Sequence, residues 1–224
     1  MIKSVIFDMD GVLIDSHPVH KKAWARFLAS LGKTVSDDEL DFVLDGRKRE
    51  EILTHFLGPL SRQEVAEYGQ RKEQLFREEA RLVSMVNGVE NFLDEIESAR
   101  IPMGIASSGS SSRVRYFLER PILRNRFAAV VTGDDVHQSK PDPTIFQRAA
   151  AEIGAAVNET LVVEDAISGV VAAKSAGMWC LAIASNGRAR ELLAAGADEV
   201  APDFQGVTLA GLEQKFSSIL QRQS

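Results

Sequence analysis

One cysteine in 224 residues leaves no possibility of a disulfide within the chain. Cys180 lies in an apolar stretch and is assigned to core packing, not to catalysis. No run of 18 or more apolar residues occurs, which excludes a helix of ordinary membrane-spanning length. The amino terminus lacks the apolar stretch of a secretory signal, because Lys3 is followed by only a few apolar residues before Asp8. Positive charge is in deficit, with 26 Lys and Arg against 32 Asp and Glu, and the net charge of -6 argues against broad nucleic-acid binding. There is no internal repeat and no low-complexity tail. These absences leave an ordinary globular composition, 45% apolar and 26% charged, on a chain long enough for one large domain or two small ones. The expected setting is the cytoplasm, with a monomer as the default state and neither nucleic acid nor membrane as partner.

What is present is organised around residues 2–16, IKSVIFDMDGVLIDS. Val5, Ile6 and Phe7 make an apolar run without polar alternation, the pattern of a strand buried on both faces of a parallel sheet. The run stops on Asp8, Asp10 follows, and Gly11 opens a turn. Residues two apart in extended chain point to one side, so both carboxylates can face a pocket beyond the strand's end. Open parallel sheets bind ligands at that edge. Two acids there are costly unless a cation or a reaction uses them.

From 16 to 84 the texture turns helical, with charge-rich faces. Trp24, Phe27, Leu28 and Leu31 predict a helix over 18–31 that Gly32 stops. Ser36 with Glu39, and Ser61 with Glu64, read as capping boxes opening two more helices, and a further one starts after Gly46. The run RKEQLFREEAR reads as a solvated helix face, with Glu73 and Arg77 in the favourable i,i+4 order. Beyond Val86 strands alternate with helices, the mark of a parallel sheet, with strands over 102–106, 128–132, 161–163 and 178–183 and a short one near Glu199. The expected fold is therefore α/β, a parallel sheet with helices on both faces over 1–15 and 85–224, into which an all-helical segment, 16–84, is inserted.

The remaining polar candidates fall at or just past predicted strand ends. Ser107 follows IPMGIA, where its hydroxyl and the N–H groups of Ser108 and Gly109 can hold an anion's oxygen; a plain Ser/Gly loop is the alternative. Lys140 sits in SKPDP, biased to extended backbone by Pro141 just before a helix that Asp142 and Pro143 are suited to open. Glu164 and Asp165 follow the strand LVV, with Gly169 downstream.

Taken in order, DMDGV, Ser107, KPDP and EDAISG resemble the four signature motifs of the haloacid dehalogenase-like superfamily of Mg-dependent phosphotransferases: D-x-D-G-(V/T), a Ser or Thr, K-P-x-P, and an acid pair followed by Gly. The resemblance covers the chain from Asp8 to Gly169. It implies a Rossmann-like core in which Asp8 attacks phosphorus and Asp10 protonates the leaving oxygen. Ser107, Lys140 and Mg2+ would hold the phosphoryl oxygens. Magnesium keeps several waters and needs few protein oxygens: Asp8, the Asp10 carbonyl and Asp165, with Glu164 ligating or ordering a water. The helical insert resembles the family's C1-type cap. Within the family the chain looks most like the β-phosphoglucomutase and sugar-phosphate phosphatase branch. The matching residues are Ser16, His20, Trp24, Gly46 and Arg49; Ser108 and Gly109 join them as implied substrate-binding positions. His20 as a partly exposed helix residue, Trp24 as core, and Arg47, Lys48 and Arg49 as a solvated helix start balanced by Glu50 and Glu51 are the alternatives.

One departure bears on function. The mutase pattern has a Ser-Lys pair shortly after the second motif, where this chain has Gly109 and Ser110, with Lys48 as a conceivable substitute. Hydrolysis of a small phosphate ester, a sugar phosphate, therefore ranks above isomerisation by a mutase. A receiver-type signalling module accepting phosphate on Asp134 or Asp135, and a non-catalytic binding relative, complete the readings.

Overall fold

In chain order β1 (Ser4–Phe7) is followed by a very short β2 (Ile14–Asp15), α1 (His17–Ala29), a 3₁₀ helix (Glu39–Leu44), α2 (Arg49–Leu57), α3 (Arg62–Glu79) and an equally short β3 (Ser84–Met85). Strict alternation then runs through α4 (Val89–Ser98), β4 (Met103–Ser107), α5 (Ser111–Leu118), β5 (Phe127–Thr132), α6 (Thr144–Ile153), β6 (Thr160–Glu164), α7 (Ile167–Ser175), β7 (Trp179–Ile183), α8 (Ala189–Ala194), β8 (Glu199–Ala201) and α9 (Leu209–Gln223). This computed structural model describes residues 1–185 and 187–223; positions 186 and 224 of the expected core range lie outside the described residues.

β1 is buried along its whole length and stands in the middle of a six-stranded sheet of order β5-β4-β1-β6-β7-β8. Every pairing in it is parallel. Both faces are covered, which is why the strands read as continuous apolar runs. Val5 and Phe7 join Ile105, Val163 and Leu181 on one face, packed by Phe92 of α4, Phe117 of α5 and Phe216 of α9. Ile6 joins Ala106, Val162 and Cys180 on the other, under Phe146 of α6, Val170 of α7 and Leu192 of α8. Chain order builds outward from β1 through β4 to β5, then returns to β6 on the other side of β1. Strand order thus reverses at β1, where a doubly wound sheet opens its crevice. Among the described residues, no helix is long and apolar enough to cross a membrane.

The helices between β2 and β3 have a core of their own, in which Trp24, Phe27 and Leu28 of α1 meet Leu40, Val43, Ile52, Leu53 and Phe56. The chain leaves and re-enters the sheet layer through the antiparallel β2–β3 ribbon, Ile14 opposite Met85 and Asp15 opposite Ser84. Two residues per strand are too few for a readable alternation, so the sequence shows no strand there. The Ser61–Glu64 capping box forms at α3 with both reciprocal bonds. At Ser36 the box bonds also form, but the helix that follows is 3₁₀. Three residues per turn put Leu40 and Val43 on one face, and both are buried.

The charge run on α3 is only half solvated, contrary to its reading as an exposed face. Arg71, Gln74, Arg77 and Glu78 are exposed, whereas Lys72 and Glu73 share the buried face of Gly69 and Phe76. Spacing, not charge, decides which side of a helix is covered.

Phe92 tests the packing of the sheet's first face. It is 1% exposed, edge-on to Phe7 with centroids 6.3 Å apart and stacked on Phe204 at 5.3 Å. Phe92→Ala is expected to lower the unfolding free energy by about 3–5 kcal/mol. Urea titration should show the loss as a lower midpoint with an unchanged slope.

Candidate active site

The reversal of strand order brings four acids and one lysine to a single edge. Asp8 follows β1 directly, and its N–H is tied to the Val163 carbonyl at 2.9 Å. Ser107 ends β4, Glu164 ends β6, and Lys140 reaches in from the segment between β5 and α6. The Lys140 ammonium is 1% exposed and donates to Asp8 Oδ1 at 2.5 Å, Glu164 Oε1 at 2.6 Å and the Ala106 carbonyl at 3.1 Å. Burial alone would lower its pKa, but Asp8 and Glu164 outweigh it, so Lys140 is held charged well above the ordinary lysine range.

Glu164 has both oxygens engaged. Oε2 accepts the N–H groups of Asp165 and Ala166 at 2.7 and 2.8 Å, while Oε1 holds Lys140. The sequence expectation makes Glu164 a metal ligand or water-orderer; here it orients the lysine and caps the turn into α7. Gly169 is needed for this, since a β-carbon there would lie 1.9 Å from Glu164 Oε1.

Asp8 and Asp165 are buried carboxylates of a different kind. Burial pushes Asp8 up to about 7, outweighing the Lys140 charge, with Glu164 and Asp10 adding to the rise. Burial likewise raises Asp165, although His17 Nε2 meets its Oδ2 at 2.9 Å and opposes the rise. Among the described residues no protein donor reaches Asp8 Oδ2, and no three acidic, His or Cys side chains close around a metal-sized point. A donor set of two buried carboxylates, each bound to a protein cation through one oxygen only, fits a hard divalent cation that takes its other ligands from backbone oxygen and water.

Asp10 lives differently. Its Oδ1 accepts Ser16 Oγ–H at 2.6 Å and His20 Nε2–H at 3.2 Å, and its Oδ2 accepts Arg113 at 2.9 Å. Burial would raise its pKa, but the Arg113 charge and then His20 and Ser16 hold it well below the usual carboxylate range. His20 stacks on Phe76 at 4.4 Å and takes the Lys72 ammonium on Nδ1 at 2.9 Å. Burial, with Lys72 beside it, pushes His20 down to about 3, so the ring is neutral with its proton on Nε2. Burial and then Arg113 bring Lys72 down to about 7.

The same pocket is lined by Trp24, Gly46, Arg49, Ser107, Ser108 and Gly109. Trp24 is 2% exposed and serves the core of the helical segment as well as the pocket wall. Arg49 lies along α3 at Gly69, where a β-carbon would come within 2.4 Å of its Cδ. Ser107 Oγ accepts the Gly109 N–H at 3.0 Å, and Ser108 Oγ donates to the Gly46 carbonyl at 2.8 Å, across the pocket mouth. Lys48 does not face the pocket: its ammonium is bound to the Val136 and His137 carbonyls, each at 2.8 Å. Asp134 and Asp135 bind Ser111 N–H and the Thr132 N–H and hydroxyl, as turn caps outside the pocket, which removes the receiver-type reading.

Four pocket residues escape sequence reasoning: His17, Lys72, Glu73 and Arg113. His17 carried a signal, since it precedes His20 and Trp24 at the spacing of one helix face. Lys72 and Glu73 were legible from Gly69 and Phe76 at three- and four-residue steps. Arg113, on the first turn of α5, offered none.

Residues 5–183 match the family model described as haloacid dehalogenase-like hydrolase. The chain is 30% identical over 232 residues to a β-phosphoglucomutase of Bacillus subtilis, covering 100% of this chain and 99% of that one. It is 33% identical over 179 residues to a phosphorylated carbohydrates phosphatase of Thermotoga maritima, covering 79% and 82%. The crystal structure of a β-phosphoglucomutase from Clostridium difficile shares the fold, with a TM-score of 0.87, 21% identity and coverage of 98% and 99%. The chain belongs to the haloacid dehalogenase-like hydrolase family.

Proposed function

We propose that this protein is a magnesium-dependent phosphatase of small phosphate monoesters, sugar phosphates foremost, acting through an aspartyl-phosphate on Asp8. The observation that carries the reading is the unlike treatment of two neighbouring carboxylates. Asp8 has one oxygen fastened to Lys140 and the other without a protein donor, whereas Asp10 has both oxygens occupied by Ser16, His20 and Arg113. Paired titratable groups pushed apart by their surroundings mark a division into nucleophile and acid–base. The Thermotoga relative's name as a carbohydrate phosphatase supports the substrate class.

In this mechanism Asp8 Oδ2 attacks phosphorus in line with the leaving oxygen. Ser107 Oγ–H donates to an equatorial oxygen, and the Lys140 ammonium, held on Asp8, Glu164 and the Ala106 carbonyl, supplies positive charge beside the transferring group. Asp8, Asp165 and the Asp10 carbonyl would hold Mg2+, whose charge would neutralise the phosphoryl group and favour the ionised form of Asp8. Asp10 gives a proton to the leaving oxygen, and later takes one from the water that opens the aspartyl-phosphate. As it stands, ionised, Asp10 is in the second form. The line Lys72–His20–Asp10 delivers the proton it first needs: Lys72 gives one to Nδ1 as Nε2 releases one to Asp10. Residues 16–84 act as a cap that excludes water, hinged at the β2–β3 ribbon and latched by Ser108 on Gly46, Lys48 on Val136 and His137, and Ser168 on the Asp45 carbonyl. Arg49, without an ion pair among the described residues, meets the leaving group. The enzyme works as a cytoplasmic monomer.

The second reading, a β-phosphoglucomutase, gains from Arg113. The lysine missing beside Gly109 and Ser110 counted against a mutase, yet a guanidinium from the next helix turn stands in that part of the pocket.

Phosphate release from a panel of sugar phosphates should fall by about 10⁴-fold or more in Asp8→Asn. With β-glucose 1-phosphate, glucose 6-phosphate accumulating in place of free phosphate would establish the mutase instead. Asp10→Asn should lower the single-turnover rate of alcohol release from alkyl phosphates by about 10²–10⁴-fold, and far less the release of phenol from aryl phosphates, whose leaving groups need no proton; equal losses in that first step would remove Asp10 from the acid role. Chelation with EDTA should abolish turnover, Mg2+ should restore it, and Asp165→Asn should raise the Mg2+ needed for half-activity by at least about 10-fold.

A further inference from the structure

We infer that Glu73 selects the leaving group, and that the group it selects is a polyol, read through a hydroxyl that donates to the Glu73 carboxylate. This rests on the reading of the chain as a phosphate-ester hydrolase and narrows it. Glu73, on the pocket side of α3, is 9% exposed, and its Oε1 is buried without a hydrogen-bond partner among the described residues. The Arg77 Nε lies 3.6 Å from it, beyond hydrogen-bond reach, on a side chain that is 53% exposed. A buried carboxylate oxygen left in this state is expensive, and a residue that only solvated the helix would sit on its outer face.

The same pocket holds two orphans of the opposite kind. Among the described residues Arg47 Nε and Arg113 Nε are buried and without an acceptor, although the other end of the Arg113 guanidinium binds Asp10. Two orphans donate and one accepts. Hydroxyls do both, whereas a phosphate dianion only accepts, which would leave Glu73 unsatisfied, and an ammonium only donates. The occupant that satisfies the pocket is therefore a hydroxylated carbon chain or ring carrying one phosphate, which faces Asp8.

The test compares wild type, Glu73→Gln and Glu73→Ala on hexose and hexitol monophosphates and on phenyl phosphate, which has no hydroxyl. The ratio of kcat/KM between polyol phosphates and phenyl phosphate should fall about 10-fold or more in both variants, chiefly through KM on the polyol esters. The thermal midpoint of Glu73→Gln should stay close to that of wild type, because the change keeps the side chain's shape and gives up only the ion pair with the exposed Arg77. A ratio that does not move overturns the inference, whatever happens to the midpoint. Calorimetric binding of the same esters to Asp8→Asn, with and without Glu73→Gln, reads the preference without turnover. If wild type releases phosphate from no ester, the hydrolase reading fails by itself. Glu73→Gln weakening polyol phosphate more than phenyl phosphate then still supports hydroxyl selection, and equal weakening overturns it.

Discussion

Burying an ammonium costs several kcal/mol unless every donor finds a partner, and the three donors of Lys140 are spent on Asp8, Glu164 and the Ala106 carbonyl. Those partners come from the ends of three adjacent strands, β4, β1 and β6. The lysine therefore works as a peg across the strand-order reversal: it can be satisfied only if all three strands are in register and Glu164 is turned inward. Glu164 is held in that pose by two backbone N–H groups and by the absence of a side chain at Gly169. The positions of Asp8 and of the Ser107 hydroxyl depend on that arrangement, because both stand at the ends of strands that the peg secures.

The wider pocket divides into two electrostatic halves. On the sheet side carboxylates outnumber cations, and burial lifts Asp8 and Asp165. Facing it, Arg47, Arg49 and Lys72 of the helical segment and Arg113 of α5 line the pocket with one further acid, Glu73. Asp10 lies at the seam and is held ionised by the cationic half, although it is covalently part of the other. The proposed substrate would match that polarity: a dianionic head suited to a carboxylate site once a divalent cation is bound there, and a neutral, hydroxylated remainder suited to fixed donors and an acceptor.

The helical segment shows why a charged run is a poor guide to exposure. Its RKEQLFREEAR stretch contains a lysine and a glutamate as buried as many apolar residues, because helix geometry puts them on the side of Phe76. Lys72 is kept there by His20 and the rings of Trp24 and Phe76, at 5.3 and 5.0 Å from its ammonium. Conversely, Lys48, adjacent to Arg49 in sequence, turns outward to two carbonyls beyond the pocket. Neighbours in sequence at a helix start can serve opposite faces.

Sequence by itself determined the six strands of the main sheet, their parallel arrangement and the acids and lysine at their ends. A strand buried on both faces must be apolar throughout, so the point where polar residues begin is the point where the sheet edge begins. Asp8, Ser107, Glu164 and Asp165 are visible for that reason, and Lys140 because prolines fix its surroundings. Only the tertiary structure decided the partners of His17, Lys72, Glu73 and Arg113, and that Glu164 is occupied with Lys140. These residues sit on helices or choose among several nearby donors. A polar helix residue faces solvent or a pocket according to what covers its helix, which is a long-range contact that local spacing encodes weakly.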